Sequence, residues 1–371
     1  MTWHHTSISR LLKIKYPIVQ APMAGGITVP ELISAVSEAG ALGSAGAGYL
    51  TSDQLDQHIK EIKALTEKPF NVNLFVPEKE VSIRKEDIQS MAGILKKMNM
   101  PVDDVSFTNE TSYLNYEKQL ETVLQNDVPI CSFTFGLPSI EAVKELKRAG
   151  RIVIGTATTV AEAILFEERG ADVIVMQGSE AGGHRGTFND SADACIGTMS
   201  LIPQAADALC VPVIAAGGIA DARGIAAAFI LGADGVQLGS VFIPCTESGA
   251  PAAYKEKILS SKEDETVLTR AFSGKYARGI SNAFIQKMKP FDSSILPYPV
   301  QNELTKRLRS HAAHELNAEN MSLWAGQSLR LINQSMSAKE VLDQLIAGVN
   351  DVTESSWKDV NANGSKNGGS F

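Results

Sequence analysis

The chain has 371 residues, 44% hydrophobic and 20% charged, enough for two ordinary domains or for one large α/β barrel with extensions. Thirty-four basic residues against 42 acidic ones leave a net charge of −8, which disfavours a nucleic-acid binder, because such proteins concentrate positive charge. Four cysteines (Cys131, Cys195, Cys210, Cys245) without a CxxC pair speak against a zinc site or a disulfide framework, and the longest uncharged stretch, Tyr16 to Pro30, is 15 residues, too short to span a membrane.

The N-terminal residues lack the apolar core of a signal peptide, so the expectation is a soluble, acidic, cytoplasmic protein. From Pro17 to about Pro244, short apolar runs alternate with segments of helical period. The runs are Ile18 to Met23, Ala41 to Ala45, Phe70 to Phe75, Pro129 to Phe135, Arg151 to Thr156, Asp172 to Gln177, Val211 to Ala216 and Gly235 to Phe242. Each is apolar on successive residues, the pattern of strands buried on both faces. Thr28-Val-Pro-Glu31, Thr51-Ser-Asp-Gln54 and Thr159-Val-Ala-Glu162 have the spacing of capping boxes. Gly40, Gly150, Gly170 and Gly232 fall where helices should stop. Eight strands, each followed by a helix or crossover, predict a (β/α)8 barrel over residues 1–244 rather than an open sheet.

Two stretches exceed a minimal barrel. Residues 77–127, between strands three and four, are too long for a structureless loop and should carry helices, among them the amphipathic Lys85 to Met98. Residues 245–352 read as a helical extension that packs on the barrel and contributes to the substrate pocket, its last helix opened by Ser337-Ala-Lys-Glu340. Residues 353–371, ending in a run rich in Asn, Gly, Ser and Lys, are expected to be disordered.

In such barrels, function sits in the loops after the strands. Strand one ends in Ala21-Pro-Met-Ala-Gly-Gly26 and strand two in Gly43-Ser-Ala-Gly-Ala-Gly48. Strand six runs into Gln177-Gly-Ser-Glu-Ala-Gly-Gly-His-Arg-Gly186, strand seven into Ala215-Ala-Gly-Gly-Ile219, and strand eight carries Gln237-Leu-Gly-Ser240. Glycines let backbone N–H groups approach an anion with no Cβ in the way. One such loop suits a tight turn. Two, after strands seven and eight (Gly217, Gly218, Gly239), match the phosphate site of these barrels.

No P-loop and no HExxH motif occurs, and Gly46-Ala-Gly48-Tyr-Leu-Thr51 lacks the third glycine of a dinucleotide fingerprint. His311 and His314 share a helical face without a third ligand, which reads as a solvated surface. Asn73, Gln177 and Gln237 stand at strand ends among apolar residues and need polar partners. A planar ligand rich in donors and acceptors would supply them; so would neighbouring backbone. His184, framed by Gly182, Gly183 and Gly186, is the histidine of the mouth loops and the candidate catalytic residue. At its ordinary pKa near ~6.5 it would serve as a base or donate a hydrogen bond to a bound anion.

Several stretches carry a family resemblance: Gln20-Ala-Pro-Met-Ala-Gly25, Val72-Asn-Leu-Phe75, Phe133-Thr-Phe-Gly-Leu-Pro138, Gly155-Thr-Ala-Thr158, the run Gln177 to His184, Ala215-Ala-Gly-Gly218, Phe272-Ser-Gly-Lys-Tyr-Ala-Arg-Gly279 and Trp324-Ala-Gly-Gln327. Over about Tyr16 to Leu331 the chain resembles the class I FMN-dependent nitronate monooxygenases, formerly called 2-nitropropane dioxygenases. The resemblance implies FMN contacts at Met23, Asn73, Gln177, Gly182, Gly183, Gly217, Gly218, Gln237, Leu238, Gly239 and Ser240. It implies His184 as the active-site histidine and Tyr113, Tyr254 and Tyr298 as residues lining the substrate pocket. Lys275 and Trp324 lie in the matching stretches without an assigned role.

The implied reaction oxidises an alkyl nitronate, such as propionate 3-nitronate, with molecular oxygen to a carbonyl compound plus nitrite or a related nitrogen oxide, a detoxification. The Gly-Gly-His element is shared with flavin-dependent enoyl-acyl-carrier-protein reductases, so an NAD(P)H-dependent reductase is the alternative. A non-catalytic flavin-binding barrel is a third reading, disfavoured by His184 and Gln177 at the mouth.

Overall fold

In a computed structural model, which describes residues 3–77, 83–102, 109–188 and 195–364, all eight apolar runs form strands. They are β1 (Ile18–Gln20), β2 (Gly43–Gly46), β3 (Phe70–Phe75), β4 (Ile130–Thr134), β5 (Ile152–Ala157), β6 (Val173–Gln177), β7 (Val213–Ala216) and β8 (Gly235–Leu238). Neighbours pair in parallel, β1 with β8, and a bridge from Val19 to Leu42 joins β1 to the residue before β2. The sheet therefore closes into the expected (β/α)8 barrel.

Helices cover the outer face and side chains fill the interior, so the strands are buried along nearly their whole length. The helix Ser7–Leu11 and its cap supply Ile8 and Leu12, which pack with Val19, Ile130, Ile154, Val173 and Ile214 where the strands begin. Each such burial stabilises by about 1.5–3 kcal/mol and stops that end of the barrel. At the other end the register sets polar residues side by side. Gly46 lies beside Asn73 and Asn73 beside Ser132, while Gln177 lies beside Ala216 and Ala216 beside Gln237.

Local chemistry explains most helix ends. Thr51 and Gln54 form a reciprocal capping box, as do Ser337 and Glu340 through their side chains and backbone N–H groups. Gly40, Gly150, Gly170 and Gly232 all take left-handed φ where helices stop. The expected box at Thr28 does not form, because the helix begins one residue later, at Pro30 after Val29. The Thr28 hydroxyl instead accepts from Gly46 N and donates to Met23 O, tying the β1 loop to β2. Thr159 caps its helix, but the Glu162 carboxylate turns away from the cap. It accepts from Thr158 and from Thr187 and Phe188 beyond the β6 loop.

Within residues 77–127 the helices Lys85–Lys97 and Asn109–Gln125 are present; residues 78–82 and 103–108 lie outside the described residues. Met91, Leu95 and Met100 share a core with Phe272, Phe284, Met288, Leu304 and Leu308. The insertion and the segment after the barrel thus pack on each other. That segment is not purely helical, as its composition suggested. Thr266–Thr269 and Ala277–Ile280 form an antiparallel hairpin that takes up a two-residue strand, Gly183–His184, from the β6 loop. Such short strands carry too little alternation to be read from a sequence. The last helix runs Ala338–Gly364, into the stretch expected to be disordered, and packs on the helices Ala222–Ile230 and Pro30–Glu38; residues 365–371 of that stretch lie outside the described residues. No described helix is long and apolar enough to cross a membrane.

Candidate active site

The barrel mouth opens into a cavity of about 1100 Å³, including solvent at its entrance. Its floor is made by the loops after β1, β6, β7 and β8. Gly217 and Gly218 take φ of 104° and 73°, a region where an L side chain is strained. A Cβ at Gly217 would lie 3.0 Å from Ala181 N, so the β7 loop and the β6 loop approach backbone to backbone. At Gly239 a Cβ would meet only ordinary van der Waals neighbours, the nearest Ala21 at 3.6 Å, so protein packing alone does not require glycine there. Together these glycines form a cradle with room for a group held by main-chain N–H donors.

The segment after the barrel roofs this cradle. Gly326 N donates to Ser240 Oγ at 2.9 Å, Gln327 N to Glu180 O at 3.0 Å, and Ser328 Oγ to Gly218 O at 2.8 Å. Gly182 must lack a Cβ because one would sit 2.5 Å from Gly326 N. Arg185, 4% exposed, donates to the carbonyls of Gly178 and Gln177, and Arg278 donates to Ser179 O, which braces the β6 loop from below.

His184 is held by elements remote in sequence. Its strand pairs with the hairpin strand, His184 opposite Ala277 and Gly183 opposite Arg278. Its Nε2 lies 2.8 Å from Ser273 Oγ, and that hydroxyl donates to Lys275 O at 3.1 Å. In the arrangement where the hydroxyl donates to Lys275 O it accepts from Nε2–H, and the lone pair then lies on Nδ1. Phe135, Trp324 and Tyr298 surround the ring at centroid distances of 5.7, 5.3 and 6.4 Å.

The ordinary imidazole pKa does not survive this environment. Burial, then the positive charges of Lys275 and Arg309, push it down to about 3. The ring is half-buried, facing the cavity rather than sealed in protein, and at neutral pH it is uncharged. Lys275 itself is 1% exposed, its Nζ 5.0 Å above the Phe135 ring. A neutral imidazole backed by two cations suits an anion that arrives already deprotonated.

Of the residues singled out from sequence, His184, Met23, Asn73, Gln177, Gly182, Gly183, Gly217, Gly218, Gln237, Gly239, Ser240 and Tyr254 all line the cavity. Leu238 does not; it is 1% exposed and belongs to the core, since its neighbours Gln237 and Gly239 take the cavity positions. Tyr113 lies 38% exposed on a separate outer groove, carried there by the insertion helix Asn109–Gln125. Tyr298 stands behind the lining, against Phe135 and His184. The Tyr254 hydroxyl donates to Trp324 O, so this side chain fixes the roof.

The amides of Asn73 and Gln177 find partners within the protein. Asn73 Nδ2 donates to Ser132 Oγ and Thr134 Oγ1, while Gln177 donates to His184 O and accepts from Gly186 N. Gln177 thus clamps the loop that carries His184. Sequence reasoning missed Ser273, Glu180, Phe135 and Ser328. The first three lie inside the matching stretches Phe272 to Gly279, Gln177 to His184 and Phe133 to Pro138, and Ser328 follows Trp324 to Gln327, but the resemblance gave none of them a role. Among the described residues, no group of three or more His, Cys, Asp or Glu could hold a metal ion.

Comparison with known proteins then gives a consistent picture. The nitronate monooxygenase family profile matches residues 5–348. A probable nitronate monooxygenase of Bacillus subtilis (strain 168) is 52% identical over 333 residues, 89% of this chain and 94% of that protein. Among solved structures, a nitroalkane oxidase from Streptomyces ansochromogenes superposes with a TM-score of 0.85 at 38% identity, covering 94% of this chain and 99% of that one. FabK from Thermotoga maritima superposes with a TM-score of 0.77 at 30% identity, covering 95% and 99%.

Proposed function

The chain belongs to the nitronate monooxygenase family, and from that premise we propose that its barrel mouth binds FMN and oxidises alkyl nitronates with molecular oxygen to a carbonyl compound plus nitrite or a related nitrogen oxide, a detoxification. The observation that carries the reading is that His184 and the glycine backbone of Gly217, Gly218 and Gly239 line one and the same cavity.

The residues present fit FMN. The cradle at Gly217, Gly218 and Gly239 would take a terminal phosphate, since a Cβ at Gly239 would occupy space that backbone otherwise offers. Gln237, Asn73 and Gln177 line the same cavity and would meet the polar edge of the ring. FMN, when bound, supplies an acceptor for the substrate's electrons and a place for oxygen to be reduced.

The protein's own residues supply orientation and charge. The charges of Lys275, which is buried behind the Phe135 ring, and of Arg309 act on the His184 side of the cavity, where they would favour an anion over a neutral ligand. A nitronate has already lost its α-proton, so the depressed basicity of His184 is no handicap; the ring can orient the anion's polar group. A nitroalkane, by contrast, must lose a carbon-bound proton first, and an imidazole held this far below its ordinary pKa is a weak base for that step.

Anaerobic titration of the purified protein with propionate 3-nitronate, followed by its visible spectrum, tests the proposal. The expected result is rapid bleaching by the nitronate and slow bleaching by NAD(P)H. The reverse order would favour the reductase reading that the FabK likeness keeps open. Cofactor released by heat and identified as FAD would overturn the choice of flavin.

A further inference from the structure

The proposed nitronate cavity and a second, larger space share one lining residue. An outer groove of about 2090 Å³, open to solvent, runs beneath the insertion helix Asn109–Gln125 and is lined by Tyr116, Leu120, Leu137 and Phe188, among others. Phe135 lines both spaces. The ends of two strands pass from one space to the other: Phe75 and Thr134 face the cavity, while Val76 and Gly136 face the groove.

Phe135 is held on several sides. The Phe135 ring lies 4.4 Å from Phe75, 5.6 Å from Tyr298 and 5.7 Å from His184, with Lys275 Nζ 5.0 Å away over its face. The residue is 3% exposed, and its backbone takes φ of 78°, a left-handed conformation that a bulky side chain rarely adopts. A benzyl group kept in a disfavoured backbone conformation, at the boundary of two spaces, points to a requirement for that side chain there.

We propose that Phe135 is the specificity-determining wall of the site: it restricts the enzyme to short nitronates, and its truncation opens the cavity into the apolar part of the groove, where a longer alkyl chain is buried. The inference rests on the reading of the cavity as a nitronate site. Each further methylene that enters the groove should contribute about fourfold in affinity. Loss of the aromatic face above Lys275 acts on the charged end of every substrate alike, so it cancels in a ratio between chain lengths.

The test compares Phe135→Leu and Phe135→Ala with the wild-type holoenzyme. Calorimetry with propanoate and octanoate, unreactive anions of two lengths, reads the wall without turnover; kcat/KM for ethylnitronate and octylnitronate reads it in catalysis. The octyl-to-short ratio is expected to rise at least about tenfold in Phe135→Ala, with Phe135→Leu between it and wild type; Phe135→Leu carries the test if the alanine variant loses its flavin or its cooperative melting. Ratios within twofold of wild type in the folded variants, or no octanoate binding by any of the proteins, would overturn the proposal. If the wild type oxidises no nitronate yet the carboxylate ratio shifts, the wall stands and the assigned reaction fails.

Discussion

The two halves of the cavity are built by different means. On the β7–β8 side the surface is backbone: Gly217, Gly218 and Gly239 leave main-chain groups bare, and the strands that carry them are neighbours in the sheet. Elsewhere the surface is side chains: His184 from the β6 loop and Phe135 from the β4 end line the cavity, backed from behind by Ser273 and Lys275 before the second hairpin strand and by the charge of Arg309 on the helix Lys306–His314. The first side needs only local conformation. The second needs an insertion and a terminal segment to pack correctly. A cofactor site made of backbone should therefore tolerate changes in the substrate half, and changes in the cradle should reach both halves.

The sharpest way to separate them is His184→Asn. Asparagine keeps a donor but cannot accept a proton at neutral pH. The variant should retain its flavin and turn over nitronate within about tenfold of wild type, whereas any nitroalkane turnover, already slow with so weak a base, should fall further than the nitronate rate does. Steady-state rates with ethylnitronate and nitroethane check this. Loss of nitronate turnover with flavin still bound would mean that the imidazole chiefly positions the anion.

Lys275→Met tests the charge in that half. Removing a buried cation that acts on a bound anion should lower kcat/KM for nitronates by about 10–100-fold, with flavin content unchanged. The pH profile carries a second signature. In wild type the His184 pKa is depressed to about 3, so no inflection from this ring is expected in kcat/KM between pH 5 and 8. Without the Lys275 charge the pKa should rise only partway, because burial, the larger cause, and Arg309 remain, so any new pH dependence should show at the acid end. An unchanged kcat/KM together with a profile identical to that of wild type would remove Lys275 from the electrostatics of the site.

The smallest expected effect compares two glycines of the cradle. Gly217→Val places a β-branched residue at φ of 104° and its Cβ against Ala181, so it should weaken flavin binding about tenfold and lower Tm of the apoprotein as well. Gly239→Ala adds a Cβ that meets nothing closer than 3.6 Å, so it should lower flavin affinity while leaving the apoprotein's Tm within a degree or two. Flavin fluorescence titration and apoprotein melting read the two outcomes. Equal Tm losses would show that Gly239 is a packing glycine.

This division also explains what could be read in advance. The eight strands were legible because burial on both faces leaves runs of Val, Ile, Ala and Phe, and the cradle glycines were legible because they follow strands seven and eight directly. Leu238 was assigned to the flavin through a four-residue motif, but a strand alternates its faces, and the motif carried no sign of which one met the cavity. Tyr113 was placed by resemblance in a region of weak local pattern, and the insertion helix carries it to the outer groove. Ser273 stands 89 positions from the histidine it contacts, so no spacing announced it.

Sequence by itself determined the barrel, its eight strand positions and the glycines of the mouth, because hydrophobic periodicity and left-handed φ are local properties that each segment carries with it. The state of His184 belongs to the tertiary structure alone. An imidazole in the chain is a base of ordinary strength. It becomes a neutral, oriented ring only when folding buries it, brings Ser273 within 2.8 Å of Nε2 and brings Lys275 and Arg309 close enough for their charges to act. Charge interaction depends on distance through space and on the water excluded between groups, and neither is a property of position along the chain.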